Sequence, residues 1–301
     1  MKKLTLITFL KLICLANILA QTATSGKVII HINNKTTIEE IKPQGKIIAP
    51  DISVFGNYYA LIIGISNYSD PEIEKTDRSV EDADLFYDLI TSRYSFENAN
   101  VRIIKNATLS EIMDGLEYFA KKVESNDNFL LFYTGQGYWD DALKSGFWLP
   151  SDAKSLGFWF PPSDENENKS LAWFSSDMLG DYLSKINSKH TLLIADASFG
   201  GSLFNINSTT GGTADDINKL NELKGRKAMI SGINLKESFR GEFLKRLISE
   251  MQRNSDKYVN SEKLFSNLVR QLSNSTTTTP QFGVIDNLGD EGGDFIFIRR
   301  E

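Results

Sequence analysis

Two short stretches hold the residue types that could do chemistry. Thr134-Gly135-Gln136-Gly137 sets a side-chain amide between two glycines, and Asp196-Ala197-Ser198-Phe199-Gly200-Gly201 sets a carboxylate and a hydroxyl two residues apart. A serine attacks only when a neighbouring group takes its proton. The amide of Gln136 has no basic lone pair with which to do so. The backbone N–H groups of Gly137 and Ser198 could still hold an oxyanion. The chain has two histidines, His31 and His190. Eight extended residues separate His190 from Ser198, about 26 Å at ~3.3 Å each. His31 stands in the N-terminal lead-in, and nothing in the sequence brings it to either stretch. A Ser–His pair is therefore not expected, which leaves a lysine- or aspartate-assisted Ser198 as the hydrolase alternative. Cys14 is the only cysteine, so beyond the first twenty residues there is no disulfide, thiolate metal site or thiol nucleophile.

Both stretches must be delivered by the elements that precede them. Asn128-Phe129-Leu130-Leu131-Phe132-Tyr133 runs into the first, and Thr191-Leu192-Leu193-Ile194-Ala195 into the second. Continuous apolar runs of this length are expected as strands covered on both faces. The carboxyl ends of such strands are where open parallel sheets place ligands. If the two strands are neighbours, Gln136 and Ser198 face each other across a cleft.

An apolar strand into Ser/Thr-Gly-His-Gly, followed some sixty residues later by an apolar strand into Asp-Ala-Cys-x-x-Gly, is the signature of caspase and metacaspase peptidases. This sequence resembles that family in both frames, with Gln136 in place of the general base and Ser198 in place of the nucleophile. The resemblance implies a three-layer α/β sandwich: a mostly parallel six-stranded sheet with helices on both faces. It also implies a domain that has lost its dyad. In the metacaspase branch the aspartate two residues before the nucleophile lines the pocket for an arginine or lysine, which gives Asp196 a substrate-binding role. A turn carboxylate that accepts backbone N–H bonds is the plainer reading of the same residue.

The rest of the chain fits this frame. Tyr58-Tyr59-Ala60-Leu61-Ile62-Ile63-Gly64-Ile65 resembles the family's opening strand. Ser79-Val80-Glu81-Asp82 and Thr108-Leu109-Ser110-Glu111 are capping patterns ahead of amphipathic helices. Phe147 to Ala153 resembles the hairpin that follows the first catalytic loop. Residues 138–174 otherwise read as a long irregular insertion, whose aromatics (Phe158, Trp159, Phe160, Trp173, Phe174) either cover the sheet edge or dock a peptide. Lys227 to Gly232 is a further strand. The segments around Gln281 and Phe295 resemble the family's last turn and edge strand. The expected organisation is a signal peptide over 1–20, a lead-in over 21–55 and a caspase-like domain over 56–301. That domain divides into a larger part (56–204), a polar linker (205–225) and a smaller part (226–301).

The signal peptide rests on Lys2 and Lys3, an apolar run from Leu4 to Leu15 too short to span a bilayer, and Ile18-Leu19-Ala20 before Gln21. It implies a secreted or periplasmic protein. The net charge of −6 speaks against a nucleic-acid footprint. No cofactor or metal is implied. The expected function is a secreted pseudopeptidase that binds a peptide, a protein or an active paralogue. The alternative is a serine-dependent hydrolase acting through Ser198 in the same cleft.

Overall fold

The computed structural model describes residues 27–32, 35–40, 55–140, 144–155, 173–197, 204–205, 217–232, 241–272 and 280–301. The chain divides into two units, Met1–Ala49 and Pro50–Glu301. In the first, strands β1 (Lys27–Ile32) and β2 (Lys35–Glu40) pair antiparallel, with Ile29 opposite Ile38.

The second unit follows in the order β3 (Tyr58–Gly64), α1 (Ser79–Arg93), β4 (Val101–Lys105), α2 (Leu109–Lys122), β5 (Asn128–Thr134), β6 (Gly137–Asp140), β7 (Ser145–Trp148), β8 (Phe174–Ser175), α3 (Ser176–Lys185) and β9 (His190–Asp196). The two-residue β10 (Phe204–Asn205) comes next, then α4 (Ile217–Glu222), β11 (Gly225–Ile230), α5 (Glu242–Arg253), β12 (Tyr258–Asn260), α6 (Ser261–Leu272), β13 (Gln281–Ile285) and β14 (Ile296–Ile298). Six strands form the central sheet in the order β4-β3-β5-β9-β11-β13, and β10 extends it by two residues beyond β13. All pairs from β4 to β11 are parallel, and β13 runs antiparallel to β11.

The layers follow from side-chain alternation along the strands. Tyr59, Leu61 and Ile63 of β3 pack with Ile112, Leu116 and Phe119 of α2 and Leu179 and Leu183 of α3. Tyr58, Ala60 and Ile62 face the other way, against Phe86 and Ile90 of α1, Leu244 and Leu247 of α5 and Leu268 of α6. Every residue of β3, β5 and β9 is buried, as a strand covered on both faces requires. The expected three-layer α/β sandwich is therefore what forms. Among the described residues no helix is long and apolar enough to cross a membrane.

Four local expectations change. Residues 137–175 are not irregular throughout, because β6, β7 and β8 form a small antiparallel sheet. Trp173 and Phe174 are buried there, and Phe174 stacks on Trp148; Phe158, Trp159 and Phe160 lie outside the described residues. The second half of the expected linker is ordered as α4 and the start of β11. Gln281–Ile285 is the sheet's antiparallel strand, whereas Ile296–Ile298 pairs with Tyr258–Asn260 in a separate ribbon. Ser79 does not cap α1: the N-cap is Arg78, with no side-chain cap bond.

Candidate functional site

The chain passes from β3 to β4 on one side and then returns to β5 on the other, so the direction of winding reverses at β3. Parallel sheets open their ligand crevice at the carboxyl end of the strands where this reversal occurs. Gly64 ends β3 there. A Cβ at Gly64 would stand 2.6 Å from the Ser79 carbonyl and 2.7 Å from Ala83 Cβ, so only glycine lets α1 approach this closely. The result is a chain of buried hydroxyls across the strand ends. Thr76 Oγ1 lies 2.7 Å from the Ile65 carbonyl and 2.8 Å from Ser79 Oγ, and Thr134 Oγ1 reaches Ser79 Oγ at 3.3 Å.

Gln136 is held on three sides. Its N–H donates to Tyr68 Oη at 2.7 Å, and its carbonyl accepts from Tyr133 Oη at 2.8 Å and from the Leu149 N–H at 3.1 Å. Its side-chain Nε2 donates to the Glu74 carbonyl at 2.9 Å. Burial pushes the Tyr133 phenol well above its ordinary range, so it remains a donor at every accessible pH. Gly135 must be glycine because a Cβ would meet Tyr133 Oη at 2.8 Å. Gln136 is thus held by four hydrogen bonds, three through its backbone and one through its side chain.

Strands β5 and β9 are neighbours, with Thr134 in register with Asp196. Gln136 lies two residues beyond that pair. Ser198, two residues beyond Asp196 in sequence, lies outside the described residues together with its backbone N–H. Gly137 opens β6, in register with Trp148. Asp196 is buried, and its Oδ2 accepts the Gly241 N–H at 3.2 Å. It therefore accepts a backbone N–H, but from a residue 45 positions further along the chain and not from its own turn.

A second carboxylate comes to the same backbone. Asp82 Oδ2 is 3.7 Å from where a Cβ of Gly241 would stand. Asp82 is buried, and its one side-chain hydrogen bond among the described residues is a 3.5 Å contact from Arg78 Nη2 to Oδ1. Burial raises its carboxyl above the usual range, and Arg78 only partly opposes this. Sequence reasoning missed Asp82 because an acid in the first turn of a helix is the expected partner of the helix dipole. The signal was its phase: Ser79, Asp82, Ala83 and Phe86 are all on the buried stripe of α1, where an acid is rarely found unless it is paired.

His190 stands at the far end of β9, bonded to Asn128 and to the Leu223 carbonyl, and does not reach the crevice. His31 belongs to β1 of the other unit. Among the described residues no group of three or more His, Cys, Asp or Glu could hold a metal ion.

Comparison with known proteins fits this geometry. The profile of the caspase domain family matches residues 57–282. No curated protein matches the chain. A protein from Geobacter sulfurreducens of known crystal structure superposes with a TM-score of 0.51 at 16% identity, over 79% of this chain and 99% of its own. Caspase-1 from Spodoptera frugiperda superposes with a TM-score of 0.52 at 12% identity, over 81% of this chain and 93% of its own. The crevice at the switch in winding, the clamped loop at residue 136 and the family match over most of the chain agree: this chain belongs to the caspase domain family.

Proposed function

We propose that the domain is a secreted pseudopeptidase that binds a peptide or protein ligand by a basic side chain and does not cleave it. The observation that carries this reading is the pair of buried carboxylates, Asp82 and Asp196, set against Gly241 at the carboxyl edge of the sheet. A carboxylate taken out of water is costly unless a cation joins it, so the crevice favours arginine or lysine and disfavours an acidic residue. Catalysis is a separate matter. At the general-base position of the resembled family stands Gln136, whose amide nitrogen is already committed to the Glu74 carbonyl. Loss of a general base costs about 100- to 10,000-fold, and loss of the thiol compounds it.

The test is to restore what is missing. Purified protein should give no turnover of Arg-, Lys- or Asp-ended peptides above background. The double change Gln136→His with Ser198→Cys should cleave Arg- or Lys-ended peptides at least about 100-fold faster. The Glu74 carbonyl offers a ring N–H the same acceptor that now holds the amide, leaving the second ring nitrogen for the thiol. Each single change should stay near background, because base and nucleophile act as a unit. Turnover by the natural chain that disappears in Ser198→Ala would replace this reading with the serine-hydrolase one.

A further inference from the structure

Arg78 occupies the N-cap of α1 and gives the helix no side-chain cap. That position favours Ser, Thr, Asp or Asn, and the positive end of the helix dipole disfavours a cation there. A residue that breaks local rules twice needs a compensating role. Its one ionic contact among the described residues is with Asp82, Nη2 to Oδ1 at 3.5 Å, and the two ends of that contact differ sharply: the Arg78 side chain is 63% exposed and that of Asp82 is 9% exposed. The arginine stands in solvent over a carboxylate that points inward. Asp82 Oδ2 is turned towards Gly241, which Asp196 also bonds.

We propose that Arg78 is a built-in competitor for the acidic crevice, a displaceable cation that any basic ligand must push aside to reach Asp82. This rests on the reading of the crevice as a site for a basic side chain. An ion pair whose cation stands in solvent at a long contact distance is weak and screened by salt, so Arg78 sets a threshold for binding and does not close the site. It also makes the site selective. A ligand that brings a planar guanidinium able to bond a carboxylate twice can outcompete a single long contact, whereas a point-charge lysine gains less.

The experiment titrates N-acetyl-arginine amide, with N-acetyl-citrulline amide as the uncharged control, into the natural chain, Arg78→Gln, Arg78→Ser and Arg78→Gln with Asp82→Asn. Arg78→Ser supplies a good N-cap, so it keeps the helix if the glutamine variant weakens it. Both single variants should bind the arginine probe roughly two- to five-fold more tightly, as expected for loss of a long contact from a solvent-exposed arginine. The gain should shrink as salt rises and vanish with Asp82→Asn. Arginine binding that is unchanged or weaker in both variants would overturn the competitor role and leave the crevice reading standing. Equal binding of arginine and citrulline probes by every variant would overturn both.

Discussion

At the amino end of the parallel strands, Asp127 accepts from the Asn57 N–H, the Asn57 side-chain amide and the Glu124 N–H, all within 3.0 Å. At the carboxyl end, Asp82 has one side-chain hydrogen bond among the described residues, at 3.5 Å. Both aspartates are buried. The contrast extends to their neighbours. At the amino end, Arg226 donates to the Lys189, Gly225 and Ser188 carbonyls, and Asp290 accepts from the Arg226 N–H and from Lys227 Nζ. Such polar groups are buried because the fold satisfies them. Asp82 is buried with one long side-chain hydrogen bond among the described residues. The amino end of the sheet thus satisfies its buried charges closely, and the carboxyl end satisfies Asp82 with a single long contact.

The largest effect that would sharpen this contrast is on stability. Asp127→Ala removes an acceptor from three donors and should cost about 2–4 kcal/mol in denaturant unfolding. Asp82→Asn removes a desolvated charge and should cost nothing, or stabilise by up to about 1 kcal/mol. Equal losses at the two positions would erase the distinction between the two ends.

The next effect is on pH dependence. Both ring nitrogens of His190 face acceptors, the Asn128 side-chain oxygen at 2.8 Å and the Leu223 carbonyl at 3.0 Å. A neutral ring can donate to only one of them, so the second acceptor favours the imidazolium. Burial opposes it, helped by Lys189 and Arg226, and carries the pKa down to about 4. Because the unfolded chain takes up the proton first, this residue lowers stability as pH falls from about 6.5 to about 4, by up to about 3 kcal/mol. Asp294 acts in the opposite sense. Burial raises its carboxyl to about 6, so it favours the folded state as pH falls towards 3.8. His190→Gln isolates the histidine. The stability advantage of the natural chain over the variant should narrow steadily below pH 6.5, and parallel profiles would show that His190 does not titrate as described.

How much of this could be read from the sequence depends on the range of the interaction. The runs that became β3, β5 and β9 are continuous apolar stretches whose burial on two faces leaves little else for them to be. The Thr108–Glu111 capping box formed as expected, with Thr108 N–H to Glu111 Oε2 at 2.8 Å and Glu111 N–H to Thr108 Oγ1 at 3.3 Å. The similar pattern at Ser79 failed, because its hydroxyl joins Thr76, three residues earlier, and Thr134, 55 residues later. Strands of two to four residues, such as β8 and β12, are too short to show a period. Their partners are set by tertiary packing, which is also why the expected edge strand at Ile296–Ile298 pairs with Tyr258–Asn260 instead. The approach of Asp82 and Asp196 to the same residue is hidden for the same reason: both come to Gly241, which is distant from each in sequence.

Whether Asp82 receives a cation decides how the crevice works. The decisive measurement is the affinity of an arginine-ended peptide amide for the natural chain and for Asp82→Asn, both shown to be folded. Loss of a buried charge partner should weaken binding by at least about ten-fold, while an aspartate-ended peptide should bind neither protein. Equal arginine-peptide affinity for the two proteins, or a preference for the aspartate-ended peptide, would contradict the assignment of this crevice to a basic side chain.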